Sequence, residues 1–253
     1  MNNYEQEAIR VEVEGPTASF RYPHFLIGRQ PSYSMPPPST VYGLIAGVLG
    51  DLPHPEAIRF AYRFECIGDP VDDVELIWFV EPNMATRGAT KDINITATSN
   101  VLPREWLVFP RMTLYLIGEN LEQLYAAFRA PHYVPVLGRS QDLVSFRRVD
   151  RVRLKRKDWG RFDPTLLPIR FRDRLPFGSS THMPRFIRPE NRRRVEWDWF
   201  ITLDQSVTVG QGLQFQPEPE DILWADPDTL DPDTGRERLL VFHSFTTDDA
   251  RPA

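Results

Sequence analysis

The sequence has a single cysteine and no long apolar run. Cys66 is the one cysteine among 253 residues, so no internal disulfide can form, and a reducing compartment is expected. No apolar stretch approaches the roughly 18 residues that a membrane-spanning helix needs. The first residues combine no basic segment with an apolar one, so no secretory signal peptide is predicted. We therefore expect a soluble, cytoplasmic protein with no membrane partner.

Patterns for metals, nucleotides and nucleophilic catalysis are also missing. The five histidines are scattered along the chain, so no metal site is predicted. Phosphate-binding loops, dinucleotide fingerprints and nucleophile elbows are absent, so we expect no cofactor and assign no catalytic residue. Metal-free RNA cleavage stays open, because it needs only a general base and a nearby cation. His24, beside Arg21 and Tyr22, could supply that base, although a solvated loop histidine is the commoner case.

Lysine is scarce, and the positive charge lies in the middle of the chain. Only three of the 30 basic residues are lysines. Residues 1–138 carry 10 basic and 16 acidic side chains (−6), residues 139–194 carry 17 and 6 (+11), and residues 195–253 carry 3 and 13 (−10), which gives the net −5. A GC-rich genome would explain arginine over lysine, but it would not explain this clustering. The middle segment is therefore typical of a nucleic-acid binder.

A proline arm followed by a helix is the most informative local pattern. Residues 36–38 are three prolines, which helix interiors exclude. Ser39-Thr40 are good N-cap residues, and the apolar spacing that follows predicts a helix ending near Leu49. One face of this helix is small, with Gly43 and Gly47. Its N-terminus suits phosphate or another anion, although an ordinary helix start is the commoner meaning of the pattern taken alone.

The order of predicted elements indicates the fold class. The predicted strands are 9–14, 58–67, 74–80, 107–117, 143–154, 195–203 and 239–245, and the predicted helices are 39–49 and 121–129. The order strand, helix, strands, helix, strand is typical of ferredoxin-like domains and RNA-recognition modules. We therefore predict an α+β protein. It has a ferredoxin-like RNA-binding domain over residues 1–155 and a smaller, β-rich C-terminal region over residues 156–253, which holds a basic arm and an acidic tail.

Two further segments stand out. An insertion of weakly β character at about residues 82–106 fits a projecting β-thumb and fits plain surface decoration equally well. The stretch Leu137–Leu143 follows the second helix and offers donors from Arg139, Ser140 and Gln141 in a row. Asp142 could orient Arg139. A turn with a structural ion pair and a donor-rich binding turn are both compatible with this spacing.

Three stretches together resemble a known family. The stretches Ala18–Arg21, Ser32–Leu44 and Leu137–Leu143 look like CRISPR-associated protein family five. Its members cap the guide RNA in type I surveillance complexes, called Cascade. The resemblance covers roughly residues 8–155. It implies a ferredoxin-like domain that carries a thumb. The resemblance also implies that this domain grips the five-prime handle of the CRISPR RNA.

The resemblance also implies partners and site residues. The expected partners are the CRISPR RNA handle, the Cascade backbone subunit, the large subunit and, indirectly, target DNA. The implied handle residues are Arg21, Ser39, Thr40, Tyr42, Gly43, Arg139 and Ser140, and the implied thumb residues are Arg87 and Lys91.

One branch of the family, type I-C, cleaves precursor RNA with a tyrosine, a lysine and a histidine. No convincing lysine matches here, because Lys91 is in the predicted thumb and Lys155 and Lys157 lie beyond the last predicted core strand. This favours a non-catalytic, type I-B-like subunit. A metal-independent repeat endoribonuclease is the alternative, and an unrelated RNA-binding module with a basic arm is the third reading.

Overall fold

The structure is a computed structural model that describes residues 4–25, 28–82, 95–192 and 194–246, with the backbone alone for residues 80–82 and 95–97. Within these ranges the chain forms two α-helices, α1 (Pro38–Leu49) and α2 (Leu121–Arg129). The strands are β1 (Glu5–Glu14), β2 (Thr17–Ala18), β3 (Ile58–Glu65), β4 (Val71–Pro82), β5 (Ile95–Val108), β6 (Arg111–Gly118), β7 (Ser145–Arg156), β8 (Gly160–Phe162), β9 (Thr165–Pro168), β10 (Ser179–Ile187), β11 (Val195–Leu203), β12 (Val207–Val209), β13 (Trp224–Asp226), β14 (Arg238–Leu240) and β15 (His243–Ser244). The protein is therefore α+β and mostly sheet.

Nine strands form one sheet in the order β12-β8-β14-β13-β7-β1-β6-β3-β15. At its centre β7, β1, β6 and β3 are antiparallel neighbours. Side chains alternate between the two faces of a strand. Leu114 therefore packs in one core with Val41 of α1 and Leu124 of α2, while Tyr115 packs on the opposite side with Leu240. Both faces of the central sheet are covered.

The first helix begins one residue earlier than predicted and is capped differently. The N-cap is Pro37, whose position has no side-chain cap, so the prediction that Ser39-Thr40 cap the helix is wrong. Proline suits the first helical position, here Pro38, because its φ is already helical and that position needs no amide donor. The helix ends at Leu49, and its C-cap is Gly50, whose φ of 72° is left-handed. The proline arm therefore forms the helix start itself.

The predicted strand over residues 107–117 is two strands in the structure. The break falls at Phe109-Pro110, between β5 and β6. Pro110 cannot donate to a ladder, and Phe109 has a left-handed φ of 47° while its amide donates to Pro16 O at 2.9 Å. The predicted strand 195–203 is confirmed, and the predicted strand 239–245 is interrupted between β14 and β15.

A long antiparallel hairpin, β4 with β5, overlaps the predicted thumb at about residues 82–106 through β5, whereas β4 precedes it. Its pairs run from Val71 and Trp106 to Pro82 and Ile95. The predicted thumb residues Arg87 and Lys91 lie outside the described residues.

Strands from the C-terminal region extend the main sheet at both ends. β13 pairs with β7, and β15 pairs with β3 at the far edge. The predicted domain boundary between residues 155 and 156 falls inside β7, and it stays a prediction. In the described part of the chain, neither helix has the length and apolarity to cross a membrane.

His243 should make the stability of this sheet depend on pH. The ring is buried beside Phe60 and Phe200, and its Nε2 lies 2.9 Å from Leu166 O. Burial, with a smaller contribution from Arg185 and Arg170, lowers the pKa of His243 from 6.5 to about 4. The unfolded chain therefore binds this proton first as the pH falls. Neutral His243 contributes to the free energy of unfolding in full above pH 6.5, and this contribution is lost by about pH 4. The free energy of unfolding therefore changes by about 3 kcal/mol over this range.

Urea denaturation at several pH values measures this effect. The difference in free energy of unfolding between wild type and His243→Asn should change by about 3 kcal/mol from pH 7 to pH 4. His54 is exposed, so His54→Asn is the control and should follow wild type. A constant difference between wild type and His243→Asn would contradict the prediction.

Candidate nucleic-acid interface

The loop between β2 and α1, described for residues 19–25 and 28–37 and called the pre-helix loop, is held against the C-terminal region, with Arg21 on its outer side. Arg21 forms an isolated antiparallel bridge with Ser32. Tyr22 stacks on Tyr33 with ring centroids 3.7 Å apart, and the Tyr33 hydroxyl donates to His182 O at 3.0 Å. The Arg21 side chain is exposed and has no acidic partner among the residues that the structure describes. It is therefore available to an anionic ligand.

The first turn of α1 presents small residues to solvent, while Tyr42 faces inward. Ser39 and Thr40 are half-buried and Gly43 is exposed. Outside its own helix backbone and chain neighbours, a Cβ added at Gly43 would meet no atom of the described residues within 4 Å, so the glycine leaves an open surface and no described strand packs against it. Tyr42 is 6% exposed, and its hydroxyl donates to Pro53 O at 2.7 Å. Of these implied handle residues, Tyr42 is placed to support the surface.

Arg139 lies in a cluster of ion pairs. Its Nε and Nη2 donate to Asp142 at 2.9 and 2.8 Å, and its Nη1 donates to Glu75 of the hairpin. The guanidinium also lies over the Trp106 ring, 4.6 Å from its centroid. The side chain is 12% exposed. The structural ion pair left open by the spacing is thus present, and Ser140 lies exposed beside it.

Asp142 is the centre of this cluster. Its side chain is 0% exposed and accepts hydrogen bonds from Thr17 Oγ1 at 3.0 Å and from the Ser19 amide at 3.2 Å. Burial alone would raise the pKa of Asp142, but hydrogen bonds from Arg139 and Thr17 outweigh it and hold this pKa below its ordinary value. The Asp142 carboxylate therefore connects the 137–143 turn to β2, the strand that precedes the pre-helix loop.

The base of the hairpin is fixed by further ion pairs. Arg104 Nε donates to Glu75 at 2.7 Å, so Glu75 joins two arginines. Arg29 bridges Asp72 and Glu105 on the two hairpin strands, at 2.9 and 2.8 Å. The hairpin, the pre-helix loop and the 137–143 turn therefore form one connected polar unit.

Most of the arginine-rich middle segment is paired within the protein. The pairs include Arg147–Glu14, Arg148–Asp150, Arg151–Glu122, Arg161–Asp163, Arg174–Asp221, Arg185–Asp198 and Arg188–Glu196. The acidic C-terminal region supplies Asp221, Asp198 and Glu196, so it offsets part of the +11 charge in the folded chain. Arg172, Arg192 and Arg194 are exposed with no acidic partner in the described ranges.

Sequence reasoning missed a row of stacked rings on the surface. The aromatic row consists of His24, Trp197, His182 and Trp199, in that order. Neighbouring ring centroids are 5.0, 5.2 and 4.9 Å apart, with interplanar angles of 25°, 26° and 31°. The two tryptophans alternate along one strand, which was a visible signal in the sequence. No signal in the sequence indicated that His24, from the distant pre-helix loop, would join this row.

One family model matches most of the chain, and solved structures resemble its fold. The family described as CRISPR-associated protein (Cas_Cas5) matches residues 8–191, more than half of the chain. A solved chain titled "CRISPR RNA-guided surveillance complex" matches with 18% identity and a TM-score of 0.52, over 81% of this chain and 94% of that one. "Crystal structure of a CRISPR protein from Archaeoglobus fulgidus" matches with 9% identity and a TM-score of 0.46, over 94% and 99%. No curated protein matches the chain.

The fold is similar to that of a solved CRISPR-associated chain. The chain belongs to the CRISPR-associated Cas5 family.

Proposed function

We propose that this chain is a non-catalytic, type I-B-like subunit of a type I CRISPR surveillance complex that binds and caps the five-prime handle of the guide RNA. The observation that carries the proposal is the family match over residues 8–191. The likeness in fold to a chain titled as an RNA-guided surveillance complex supports it. The backbone subunit and the large subunit are the proposed protein partners, and target DNA is the indirect one.

The topology supports the finer structural part of this proposal. The sheet order β7-β1-β6-β3, with α1 and α2 in one core, favours a ferredoxin-like domain. The β4–β5 hairpin lies where the family has its thumb, and we propose that it has that role. Its base is anchored by Glu75 to Arg139, next to the proposed handle surface.

The surface around α1 supports the site. We propose that Arg21, Ser39, Thr40, Gly43 and Ser140 contact the handle, because each is half-buried or exposed. Ser39, Thr40 and Gly43 lie in the first turns of α1, Arg21 lies in the loop before it, and Ser140 lies in the 137–143 turn. The helix N-terminus contributes a positive dipole end, which favours phosphate. Pro37 and Pro38 have no amide hydrogen and the Thr40 amide donates to Pro37 O, so the Ser39 amide is the donor that this first turn offers. Tyr42 and Arg139 would hold this surface in position from below.

Purification of the complex from its own genomic neighbourhood tests the function. The chain, tagged and expressed with the adjacent genes and a repeat array, should co-purify with RNA whose five-prime end derives from the repeat. Sequencing of the bound RNA reads this directly. A stable complex without RNA, or with RNA that lacks repeat-derived five-prime ends, would overturn the proposal.

A repeat endoribonuclease is the second candidate, because two exposed histidines, His24 and His182, flank Trp197 in one row. We expect labelled repeat RNA to stay intact when it is incubated with the purified chain in EDTA. Specific cleavage that disappears in His24→Ala would establish the enzyme instead, and His182→Ala would show whether the second imidazole takes part.

Arg21→Ala should weaken handle binding about tenfold, because it removes a cation whose hydrogen bonds to phosphate are charge-assisted. Fluorescence anisotropy with a labelled handle RNA measures this at one fixed salt concentration, since phosphate contacts depend on salt. Arg129 is also exposed but lies at the end of α2, and Arg129→Ala should bind like wild type. Equal affinities for the two variants would contradict the assignment of Arg21.

A further inference from the structure

The aromatic row is a built surface, fixed by three segments of the chain. His24 comes from the pre-helix loop, His182 from β10 and the two tryptophans from β11. The β10–β11 register pairs His182 with Trp199 and Pro184 with Trp197. The hydrogen bond from the Tyr33 hydroxyl to His182 O holds the pre-helix loop against β10. Because the rings are already ordered, a ligand that stacks on them loses little conformational entropy from the protein side.

The rings of the row are open to solvent at both ends. Trp199 is 50% exposed, and His24 and His182 are exposed as well. Aromatic side chains usually bury their faces, and exposed ones with a polar edge mark interfaces. Nucleobases stack on such faces in proteins that bind single strands. The geometry therefore suits flat, unpaired bases that continue the row.

Unpaired cations lie close to the row in sequence. Arg21 lies three residues before His24, and Arg192 and Arg194 lie in the β10–β11 turn, with Arg194 three residues before Trp197. The side chains of these arginines are exposed and have no acidic partner in the described part of the chain. A protein partner with an apolar surface would desolvate them at a cost. A nucleic-acid strand supplies phosphates to the arginines and ring faces to the aromatic row.

We propose that the aromatic row stacks unpaired bases of single-stranded RNA, with Trp199 as the main platform and the unpaired arginines on the phosphates. This inference rests on the proposed function, in which that RNA is the guide-RNA handle. The handle surface around α1 and the aromatic row share the pre-helix loop, through Arg21 and His24, so one strand can contact both.

Binding of a model oligonucleotide to the purified full chain tests the row. The probes are oligoadenylate of about 12 nucleotides and an abasic strand of the same length, which keeps the phosphates and lacks the bases. Wild type should bind oligoadenylate about tenfold more tightly than the abasic strand, with quenching of tryptophan fluorescence. Trp199→Ala should lose about tenfold for oligoadenylate and nothing for the abasic strand, and Trp199→Phe should restore most of the loss.

Trp159→Ala is the matched control, because Trp159 is 46% exposed and lies outside the row. It should bind oligoadenylate like wild type, and circular dichroism should show all variants folded. Equal binding of oligoadenylate and the abasic strand by wild type would overturn the stacking site, as would unchanged binding by Trp199→Ala. Tighter binding of oligodeoxyadenylate than of oligoadenylate would overturn the assignment to RNA. Failure of Trp199→Ala to assemble with the neighbouring subunits, with oligoadenylate binding intact, would assign the row to protein docking.

These outcomes separate this inference from the proposed function. If the purified complex retains repeat-derived RNA while Trp199→Ala binds oligoadenylate normally, the stacking site fails and the function stands. If base-dependent binding is lost in Trp199→Ala while the complex carries no repeat-derived RNA, the function fails and the row remains a site for single-stranded RNA.

Discussion

Replacing Asp142 with alanine is expected to lower the free energy of unfolding by about 3–5 kcal/mol, because it removes one member of a buried ion pair. The change leaves Thr17, the Ser19 amide and the guanidinium of Arg139 without their shared acceptor. A buried donor that is left without an acceptor destabilises the folded state by its full desolvation penalty. A total stability of about 5–15 kcal/mol is usual for a folded domain, so the loss should be plain in a urea titration followed by circular dichroism.

Asp72→Ala is the control for Asp142→Ala at the same end of the molecule. Asp72 also pairs with an arginine, Arg29, but the two side chains are 50% and 55% exposed. Exposed pairs contribute about 0–1 kcal/mol, so the urea midpoint should barely move. Similar losses in the free energy of unfolding for Asp72→Ala and Asp142→Ala would show that burial does not make the Asp142 ion pair more stabilising than an exposed one.

The Asp142 variant should also change the response to acid. Because the pKa of Asp142 is held below its ordinary value in the folded chain, its contribution is present above the unfolded pKa and lost as the pH falls through the folded one. Asp142→Ala lacks this contribution at every pH. The difference in free energy of unfolding between wild type and variant should therefore shrink as the pH falls below about 4.

Asp226→Ala is expected to cost a similar amount, about 3–5 kcal/mol, for the same physical reason. Asp226 is 0% exposed and accepts hydrogen bonds from Arg10 Nη1 at 2.9 Å and from the Tyr115 hydroxyl at 2.7 Å. Arg10 is itself buried, so its guanidinium would keep only the part-buried Asp150 and the exposed Asp228 as partners. The midpoint of urea unfolding measures the loss.

Asp228 provides a close control for Asp226. It also lies within 3.2 Å of Arg10, but its side chain is 65% exposed, so Asp228→Ala should cost less than about 1 kcal/mol. Equal losses in the free energy of unfolding for Asp226→Ala and Asp228→Ala would show that the Asp226 carboxylate does not stabilise the contact between the C-terminal region and β1.

Local patterns predicted the elements whose residues are close in sequence. The helical spacing in 39–49 and 121–129 and the apolar pattern of 195–203 needed no distant partner, and α1, α2 and β11 follow them closely. The break at Phe109-Pro110 was missed because apolar residues continue through it. The contact that fixes it, from the Phe109 amide to Pro16 O, spans most of the N-terminal region.

The candidate site was predicted in part. The sequence placed Asp142 beside Arg139 at a spacing that permits an ion pair, and that pair is present. It carried no signal that Glu75, on the hairpin, would take the other edge of the guanidinium. Charge counting likewise showed where arginines cluster, but it could not show which of them find acidic partners across the sheet.

The place of β1 in the sheet has a consequence for how the chain is made. β1 is synthesised before the strands that it pairs with, and its Arg10 pairs with Asp226, which lies 216 positions later. The partner of β3 at the sheet edge, β15, is among the last residues described. Contacts of such sequence separation slow folding, and the incomplete sheet exposes apolar surface meanwhile. During synthesis the edge of β3 therefore stays unpaired until β15 has emerged.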